Sequence, residues 1–401
     1  MKRALTHVGG ETVKEGARQE ADALAHALDV QPSSDEAADP ARAHVHGFHV
    51  YPARMHPTTA SRLIELTSVA GSKVLDPFCG SGTVLIQSML ARRDALGVDL
   101  NPFAVLLASR KVAARDDQYV ENLLAAAARV REAADERRKA KAGAHKPYGR
   151  EDVATFDPHV LLELDGLKHA LEKENDGVVR DDLRLVLSAI LTKVSKKQSD
   201  TSSREAPKRI AAGYPAKLFV RKTEELVQRS RELESLLPKP RPRALVFTDD
   251  ARAMAKVRDG EANAVVTSPP YVGTYDYLAH HALRMRWLGL HSGRFEKGEI
   301  GSRRDFGRGQ PNAERDWEKQ LSDALKSMHR VLAPHGRVAF VIADSELGGR
   351  AVRADVVVAS AARKTGFDPI ARASQARQHF HDARAFAKMP RFEHALLLER
   401  V

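Results

Sequence analysis

The sequence predicts an α/β fold, a doubly wound and mostly parallel sheet of seven strands that is interrupted by a helical insertion. From His46 onwards, short β-branched runs that end in acidic residues or Pro/Gly turns alternate with helical stretches. Between Asp99 and Ala244, helical sequence continues for much longer than the single helix that a crossover connection needs. The alternation therefore predicts the sheet, and the long interruption predicts the insertion.

The seven predicted strands are short apolar runs with turn residues at their ends. The last two of them suit an antiparallel hairpin at the far edge of the sheet. In chain order the strands are Lys73–Asp76, Ala95–Asp99, Ala244–Thr248, Ala264–Thr267, Arg337–Ala343, Pro369–Ala373 and His394–Glu399.

The chain divides into four predicted parts. Residues 1–45 are rich in alanine and charge, which predicts a flexible N-terminal arm with at most one surface helix. Residues 46–112 and 241–401 hold the predicted strands and form the first and second parts of one α/β domain. Residues 113–240 form the helical insertion, a candidate region for nucleic-acid recognition.

Two stretches of the chain are strongly basic. Thr192–Lys222 carries nine Lys and Arg side chains and two acidic ones, and Arg284–Arg308 carries seven and three. Such a run is either a solvated loop or a surface that follows a nucleic-acid backbone. The Ser and Thr hydroxyls and Tyr214 among the charges of the first run favour the second interpretation. The second run predicts a glycine-rich loop that clamps phosphates.

Composition narrows the class of protein. The 401 residues include 64 Lys+Arg and 53 Asp+Glu, and the formal charge of +11 favours an anionic partner such as nucleic acid. No apolar run approaches the ~20 residues that span a bilayer, and the first residues lack the apolar stretch of a secretory signal. Cys79 is the single cysteine, which excludes an intrachain disulfide and a zinc site of clustered cysteines. We therefore expect no membrane association and a reducing compartment, most simply the cytoplasm.

The first motif, DPFCGSGT, lies in a turn between a predicted strand and a predicted helix. Gly80 and Gly82 let the backbone approach a ligand closely, and the helix start presents free N–H groups to it. The motif lacks the three spaced glycines of dinucleotide sites and the Lys-Ser/Thr of a phosphate loop. Asp99 ends the next strand, where a carboxylate would hold a pair of ribose hydroxyls. The two features together predict a cofactor site.

The second motif, TSPPY, ends a later strand in a rigid polar turn. Pro269 and Pro270 fix φ and have no N–H, so neighbouring carbonyl groups point outwards as acceptors. Ser268 adds a hydroxyl acceptor, and Tyr271 adds a flat aromatic face. This combination suits a planar substrate with an exocyclic amine. Tyr275 and Tyr277 follow as candidates either for the same pocket or for the packing of a helix start.

Together, DPFCGSGT and TSPPY resemble the SAM-dependent amino-methyltransferases of DNA, which methylate cytosine N4 or adenine N6. The resemblance covers His46–Leu107 and Ala244–Val401. It implies a Rossmann-like SAM methyltransferase fold, S-adenosyl-L-methionine (SAM) as methyl donor without a metal, and double-stranded DNA as the partner. It also implies a prokaryotic, cytoplasmic enzyme that acts at the nucleoid. A cognate restriction endonuclease accompanies some enzymes of this kind.

The resemblance assigns the cofactor to the first motif and its surroundings. Asp76 would lie near the amino group of the methionine part, and Asp99 would hold the ribose hydroxyls. Asp250 would face the adenine amine, with Asp249 as the competing candidate. The segment Phe48–Pro57 looks like the one that covers the methionine end in relatives. The implied cofactor-binding residues are Tyr51, Asp76, Pro77, Phe78, Gly80, Ser81, Gly82, Thr83, Asp99 and Asp250.

The resemblance assigns the target base to Ser268, Pro269, Pro270 and Tyr271. Hydrogen bonds from the amine to the Ser268 hydroxyl and the Pro269 carbonyl would direct the nitrogen lone pair towards the methyl donor. The base would be flipped out of the duplex and stacked on Tyr271. Methylation at cytosine C5 needs a thiolate nucleophile, and Cys79 lies in the cofactor turn instead.

The residue before Pro-Pro-Tyr predicts which amine is methylated. In the family, Ser at this position is associated mostly with cytosine N4, whereas Asp or Asn is usual for adenine N6 and for guanine N2 of RNA. Ser268 therefore predicts a site-specific cytosine-N4 methyltransferase. The alternatives are adenine N6, guanine N2 of RNA, and a catalytically inactive DNA-binding protein that keeps the fold.

Overall fold

The computed structural model describes residues 9–31, 35, 38–199, 206, 208–304, 306, 312–377 and 384–401. In this part of the chain the strands are β1 (Gly9–Gly16), β2 (Lys73–Asp76), β3 (Asp94–Asp99), β4 (Ala244–Thr248), β5 (Ala262–Thr267), β6 (Leu332–Ala343), β7 (Ser345–Leu347), β8 (Arg350–Val352), β9 (Phe367–Arg377) and β10 (Phe392–Arg400). The helices are α1 (Arg18–Leu28), α2 (Pro57–Thr67), α3 (Thr83–Leu90), α4 (Pro102–Val112), α5 (Asp117–Lys139), α6 (Arg150–Thr155), α7 (Pro158–Leu171), α8 (Gly177–Val194), α9 (Tyr214–Leu236), α10 (Tyr277–Leu288), α11 (Gly293–Gly298), α12 (Ala313–Val331) and α13 (Ala354–Arg363).

Eight of the described strands form one sheet in the order β1-β9-β10-β6-β5-β2-β3-β4, and β7 pairs with β8 separately. Strands β2 to β6 run parallel to one another, and β10 is antiparallel to both β6 and β9. The chain winds outwards from β2 to β3 and, later, outwards from β5 to β6. The strand order therefore reverses between β2 and β5, and this crevice is where ligands bind in doubly wound folds.

Alternating residues of β6 show how the sheet is covered on both faces. Val338, Phe340 and Ile342 pack into one cluster with α12 and α13, whereas Ala339 and Val341 pack into another with α1 and α2. This alternation follows from the period of two in a strand. The doubly wound fold class is confirmed.

The helical insertion lies between α4 and β4, and its helices pack around an apolar core that they share with α4 and α10. Asp182 of α8 is fully buried and ties this unit to the end of α4. Its carboxylate accepts hydrogen bonds from Arg110 Nε at 2.7 Å and from Arg115 Nη2 at 2.8 Å. Burial acts to raise the pKa of Asp182, but the two guanidinium groups outweigh it and hold the pKa below its ordinary value.

The prediction of a flexible arm over residues 1–45 is wrong for Gly9–Leu28. Strand β1 pairs antiparallel with β9 and adds the eighth strand, and α1 buries Leu24 and Leu28 against the sheet. The strand was missed because its one large apolar side chain, Val13, is 46% exposed. Backbone hydrogen bonds to β9, and not buried apolar side chains, determine the position of β1. Its hydrophobic pattern therefore does not predict a strand.

Within the described part of the chain, every helix is either too short or too polar to cross a lipid bilayer.

Candidate functional site

The first cavity lies at the reversal of strand order. Strand β2 ends at Asp76 and β5 ends at Thr267, and Thr267 Oγ1 donates to Asp76 Oδ1 at 2.6 Å. The cavity above these strand tips measures about 860 Å³ when counted out to its open mouth. Because four carboxyl groups line it, we call it the acidic cavity. Its walls include the predicted residues Tyr51, Asp76, Pro77, Phe78, Gly80, Ser81, Thr83, Asp99, Asp250, Ser268 and Pro270.

The glycine turn forms one wall of the acidic cavity. Gly80 has a φ of 47°, and its N–H donates to Asp99 Oδ2 at 2.8 Å. A Cβ at this position would lie 3.2 Å from Cε1 of Tyr51, so a side chain would press on the ring. Gly82 does not line the cavity. Its φ is 79°, and a Cβ there would meet Ala108 at 3.2 Å, so this glycine serves the packing of α3 on α4.

The carboxyl groups of the acidic cavity are poorly solvated. Burial raises the pKa of Asp76 to about 7 and the pKa of Asp99 to about 6, although backbone N–H groups donate to both. Glu299, which lines the same cavity, has its pKa raised to about 7 by burial. Buried carboxylates without a full set of cationic partners favour a ligand that brings positive charge. The cavity therefore suits a cationic ligand.

The structure distinguishes Asp250 from Asp249, the two candidates for the carboxylate that would face the adenine amine. Asp250 lines the acidic cavity and forms a paired contact with Arg252, with Oδ2 at 2.6 Å from Nη2 and Oδ1 at 2.9 Å from Nε. Asp249 is not among the lining residues. Its carboxylate accepts from the backbone N–H groups of Asp250 and Lys256 and so closes a turn. The geometry favours Asp250.

A second cavity adjoins the first. We call it the arginine cavity, because Arg54, Arg303, Arg377 and Arg391 line it, together with Glu393. Tyr271, Tyr275, His280 and Ser199 also lie on its walls. The two cavities share five residues: Tyr51, Ala53, Arg54, Met55 and Ser268.

Ser268 lies where the two cavities meet. Its hydroxyl lies 3.3 Å from the Tyr271 hydroxyl, which faces the arginine cavity. Pro270 lines the acidic cavity, whereas Pro269 lines neither cavity. The TSPPY turn is therefore the partition between the two spaces.

Several residues that line the acidic cavity belong to neither of the two motifs. Phe295, Gly298, Glu299 and Ile300 line the acidic cavity and belong to the segment around α11, which the sequence predicts only as part of a basic loop. Tyr277, at the start of α10, lines the acidic cavity too, whereas Tyr275 lines the arginine cavity.

The expected phosphate clamp over Arg284–Arg308 is only partly compatible with the structure. Arg284 is buried and donates to Ser188, Arg286 pairs with Asp152 at 2.9 Å, and Arg304 pairs with Glu299 at 3.2 Å. Arg304 thereby holds Glu299, which lines the acidic cavity, whereas Arg284 and Arg286 join α10 to the helical insertion. Charge counted along the sequence overlooked partners such as Ser188 and Asp152, which are distant along the chain. Residues 305 and 307–308 lie outside the described residues.

A buried cluster of Asp344, Asp355 and His394 brings three ligand atoms within 4.8 Å of one another. Arg353 pairs with Asp344 and Arg372 pairs with Asp355, while His394 lies 2.9 Å from Asp344. Cationic side chains thus already compensate both carboxylates. The expectation that the chain uses no metal stays a prediction.

Comparison with known proteins agrees with the resemblance that the sequence indicates, and the matching family model covers the first motif but not TSPPY. Residues 21–110, which include the glycine turn and Asp99, match the family model described as DNA methylase (N6_N4_Mtase). The Type II methyltransferase M.MvaI of Kocuria varians is 24% identical over 271 residues, which cover 61% of this chain and 58% of that protein. The resemblance to the DNA amino-methyltransferases is confirmed.

Two further relatives match shorter stretches. The Type II methyltransferase M.MjaII of Methanocaldococcus jannaschii is 35% identical over 81 residues, 20% of this chain and 15% of that protein. A tRNA (guanine(10)-N2)-dimethyltransferase of Methanothermobacter thermautotrophicus is 39% identical over 69 residues, 17% of this chain and 20% of that protein. The chain therefore spans less than two thirds of the length of each of these three relatives.

Proposed function

We propose that this chain is a SAM-dependent DNA methyltransferase that transfers a methyl group to the exocyclic N4 amine of a flipped-out cytosine. One observation carries the proposal: the acidic cavity and the arginine cavity meet at the Ser268 side chain. A methyl donor in the first cavity and a nucleobase in the second would face each other across this hydroxyl.

The acidic cavity fits SAM in charge and in shape. SAM supplies a methyl group activated by a sulfonium, and it carries a positively charged amino group. Asp76 would hold that amino group, Asp99 would hold the ribose hydroxyls, and Asp250 would face the adenine amine. Gly80 keeps the space free, since a side chain there would press on Tyr51. The positive charge of the ligand compensates carboxylates that burial makes difficult to ionise.

The arginine cavity fits a flipped nucleotide. Tyr271 offers its ring for stacking, and the four arginines suit the phosphates and carbonyl oxygens of the nucleotide. Ser199, from the basic run that follows α8, lies at the same cavity. The insertion therefore reaches the place where the base would enter, which supports a part for residues 113–240 in DNA recognition.

The chain contributes to the transfer by positioning. The Ser268 hydroxyl, which lies at both cavities, would accept an amine N–H group and make the nitrogen pyramidal, so that its lone pair points towards the acidic cavity. In-line alignment then supplies most of the rate, as in other reactions of two bound partners. The proton that the methylated nitrogen then loses would pass to solvent water, with the Ser268 and Tyr271 hydroxyls, 3.3 Å apart, on its route.

Expression of the chain in a bacterial host without DNA methylation tests the proposal. Sequencing that detects modified bases should find N4-methylcytosine at one short motif, and a Ser268→Ala variant should leave the DNA unmodified. N6-methyladenine at a motif would retain the chemistry and overturn the choice of base. If DNA stays unmodified and only RNA accepts the methyl group in vitro, the guanine-N2 alternative replaces the proposal.

A further inference from the structure

The arginine cavity contains two guanidinium groups, the buried one of Arg377 and the half-buried one of Arg391, that the transfer step does not require. Arg377 ends β9, and Arg391 comes just before β10. The Arg377 side chain is 8% exposed, although it lines a cavity. Burying a permanent cation is costly, and polar partners within the chain offset that cost for Arg377 while its side chain still lines the cavity.

Arg377 is held in a fixed orientation. Its Nη1 donates to Gln375 Oε1 at 2.8 Å, and its Nη2 pairs with the carboxylate of Glu393 on β10. Its backbone N–H donates to the carbonyl oxygen of Arg391 at 2.9 Å, which joins the two arginines at the end of the β9–β10 ladder. A guanidinium anchored on two sides loses little freedom when it binds a further acceptor.

The two arginines belong to the same cavity as the target motif. Arg377, Arg391, Ser268 and Tyr271 all line it. A guanidinium group only donates hydrogen bonds, whereas the Ser268 hydroxyl also accepts them. The cavity therefore presents an acceptor at Ser268 and donors on the β9–β10 side.

This arrangement distinguishes two nucleobases. On the Watson–Crick edge of cytosine, the N4 amine is followed by the acceptors N3 and O2. On the edge of adenine, the N6 amine is followed by the acceptor N1 and then by a C2–H group, which accepts nothing. With the amine held at Ser268, a donor at the far side of the pocket finds an acceptor only in cytosine. A buried donor left without an acceptor is unfavourable, so adenine is disfavoured in this pocket.

We propose that the Arg377–Arg391 pair donates to the O2 carbonyl of the flipped cytosine and thereby excludes adenine. The inference rests on the proposed function and extends it, because it makes the β9–β10 end, and not only the residue before Pro-Pro-Tyr, a determinant of the methylated base. Glu393 orients Arg377 and is a positioning residue.

The test compares two duplexes that carry the motif found by sequencing. They differ only in the target base, cytosine or adenine, and each target base lies opposite an abasic site so that flipping costs little. The variants are Arg391→Met and a double variant, Arg377→Met with Glu393→Gln, which leaves no lone buried carboxylate. The matched control is Arg337→Met with Glu399→Gln, a cross-strand pair at the other end of β10.

The wild type should prefer cytosine, and at least one of the two variants should lower the ratio of cytosine to adenine rates by about tenfold or more. SAM affinity should stay within about twofold in every variant, and the control should keep the wild-type ratio. Unchanged ratios in both variants, with SAM still bound, would overturn the inference and leave the proposed function intact. A wild type that prefers adenine would overturn the inference as well. A wild type that methylates neither base would instead refute the proposed function.

Discussion

The acidic cavity and the arginine cavity share a wall but are built in opposite ways. The acidic cavity takes three of its four carboxylates from the tips of β2 and β3 and from the turn after β4, and the fourth, Glu299, from the segment after α11; its glycine turn is continuous in sequence. The arginine cavity takes its charges from residues 54, 303, 377 and 391, which are distant from one another along the chain. The two ligands that such cavities suit are therefore a cation and an electron-rich base or phosphate.

This difference indicates which parts of the molecule determine the binding of the methyl donor and which determine the choice of base. Parallel strands bring their carboxyl ends to one edge, so short motifs at strand ends suffice to build the acidic cavity. The arginine cavity needs the antiparallel β9–β10 pair, the segment before α2 and the region after α10. We infer that the methyl donor is fixed by the fold, whereas the choice of base depends on elements added around it.

The largest expected effect is at the shared wall. Ser268→Ala should lower kcat for DNA methylation by about 10²–10³-fold, because one acceptor for the amine is lost in the aligned complex. The Kd for SAM should change by less than about twofold, as measured by isothermal titration. Ser235→Ala, an exposed serine of α9, is the control and should leave both constants unchanged. An equal loss of SAM affinity and kcat in Ser268→Ala would mean that the two cavities are not separate sites.

Asp99→Ala should weaken SAM binding by about 10–100-fold. The variant loses the ribose acceptor and also the acceptor of the Gly80 and Asn101 N–H groups. Asp249→Ala is the matched control, because Asp249 also accepts from two backbone N–H groups but lies outside the acidic cavity. Titration of SAM into both variants should show the loss for Asp99 alone. Equal losses of SAM affinity in the two variants would mean that general destabilisation causes the effect.

The affinity for SAM should fall about tenfold between pH 8 and pH 6, since burial raises the pKa of Asp76 to about 7. Protonation then removes the charge that attracts the amino group of SAM. Asp76→Asn should bind SAM weakly at both pH values and show a smaller dependence, the part that Asp99 and Glu299 contribute.

The stability of the ligand-free protein should change with pH in the opposite direction to the SAM affinity. The folded-state pKa of Asp76 lies above the unfolded value, so the ionised carboxyl destabilises the fold as pH rises through about 4 to 7. Asp76→Asn should therefore unfold at a higher temperature than the wild type at pH 8, and the gap should close towards pH 4. A wild-type advantage at pH 8 would contradict the assignment of a poorly solvated carboxylate.

The smallest effect is expected at the glycine turn. Gly80→Ala should weaken SAM binding about threefold to tenfold, because a Cβ would lie 3.2 Å from the Tyr51 ring and the backbone φ of 47° is unfavourable for alanine. Gly71→Ala is the control: its φ is 84°, and a Cβ there would meet no atom within 4 Å. Both variants should lose similar stability in thermal unfolding, but only Gly80→Ala should lose affinity. If both variants bind SAM with the same affinity, Tyr51 is not part of the cofactor site.

The residues that the sequence could and could not predict follow the same division between the two cavities. Asp76, Gly80, Asp99 and Ser268 could be placed at one sheet edge, because each ends a strand or follows one directly. Arg377 could not, because its strand carries no motif and its partner Glu393 is joined to it only by antiparallel pairing. Strand β1 was missed for a related reason, since backbone hydrogen bonds rather than apolar side chains hold it on β9.

The central claim is that a methyl donor and a nucleobase occupy adjoining cavities that meet at Ser268. A crystal structure of the chain with S-adenosylhomocysteine and a DNA duplex tests it most directly. We expect the cofactor sulfur in the acidic cavity and the N4 atom of an extrahelical cytosine beside the Ser268 hydroxyl, close enough for direct methyl transfer. A base bound outside the arginine cavity, or a cofactor that does not contact Asp76 and Asp99, would contradict the account.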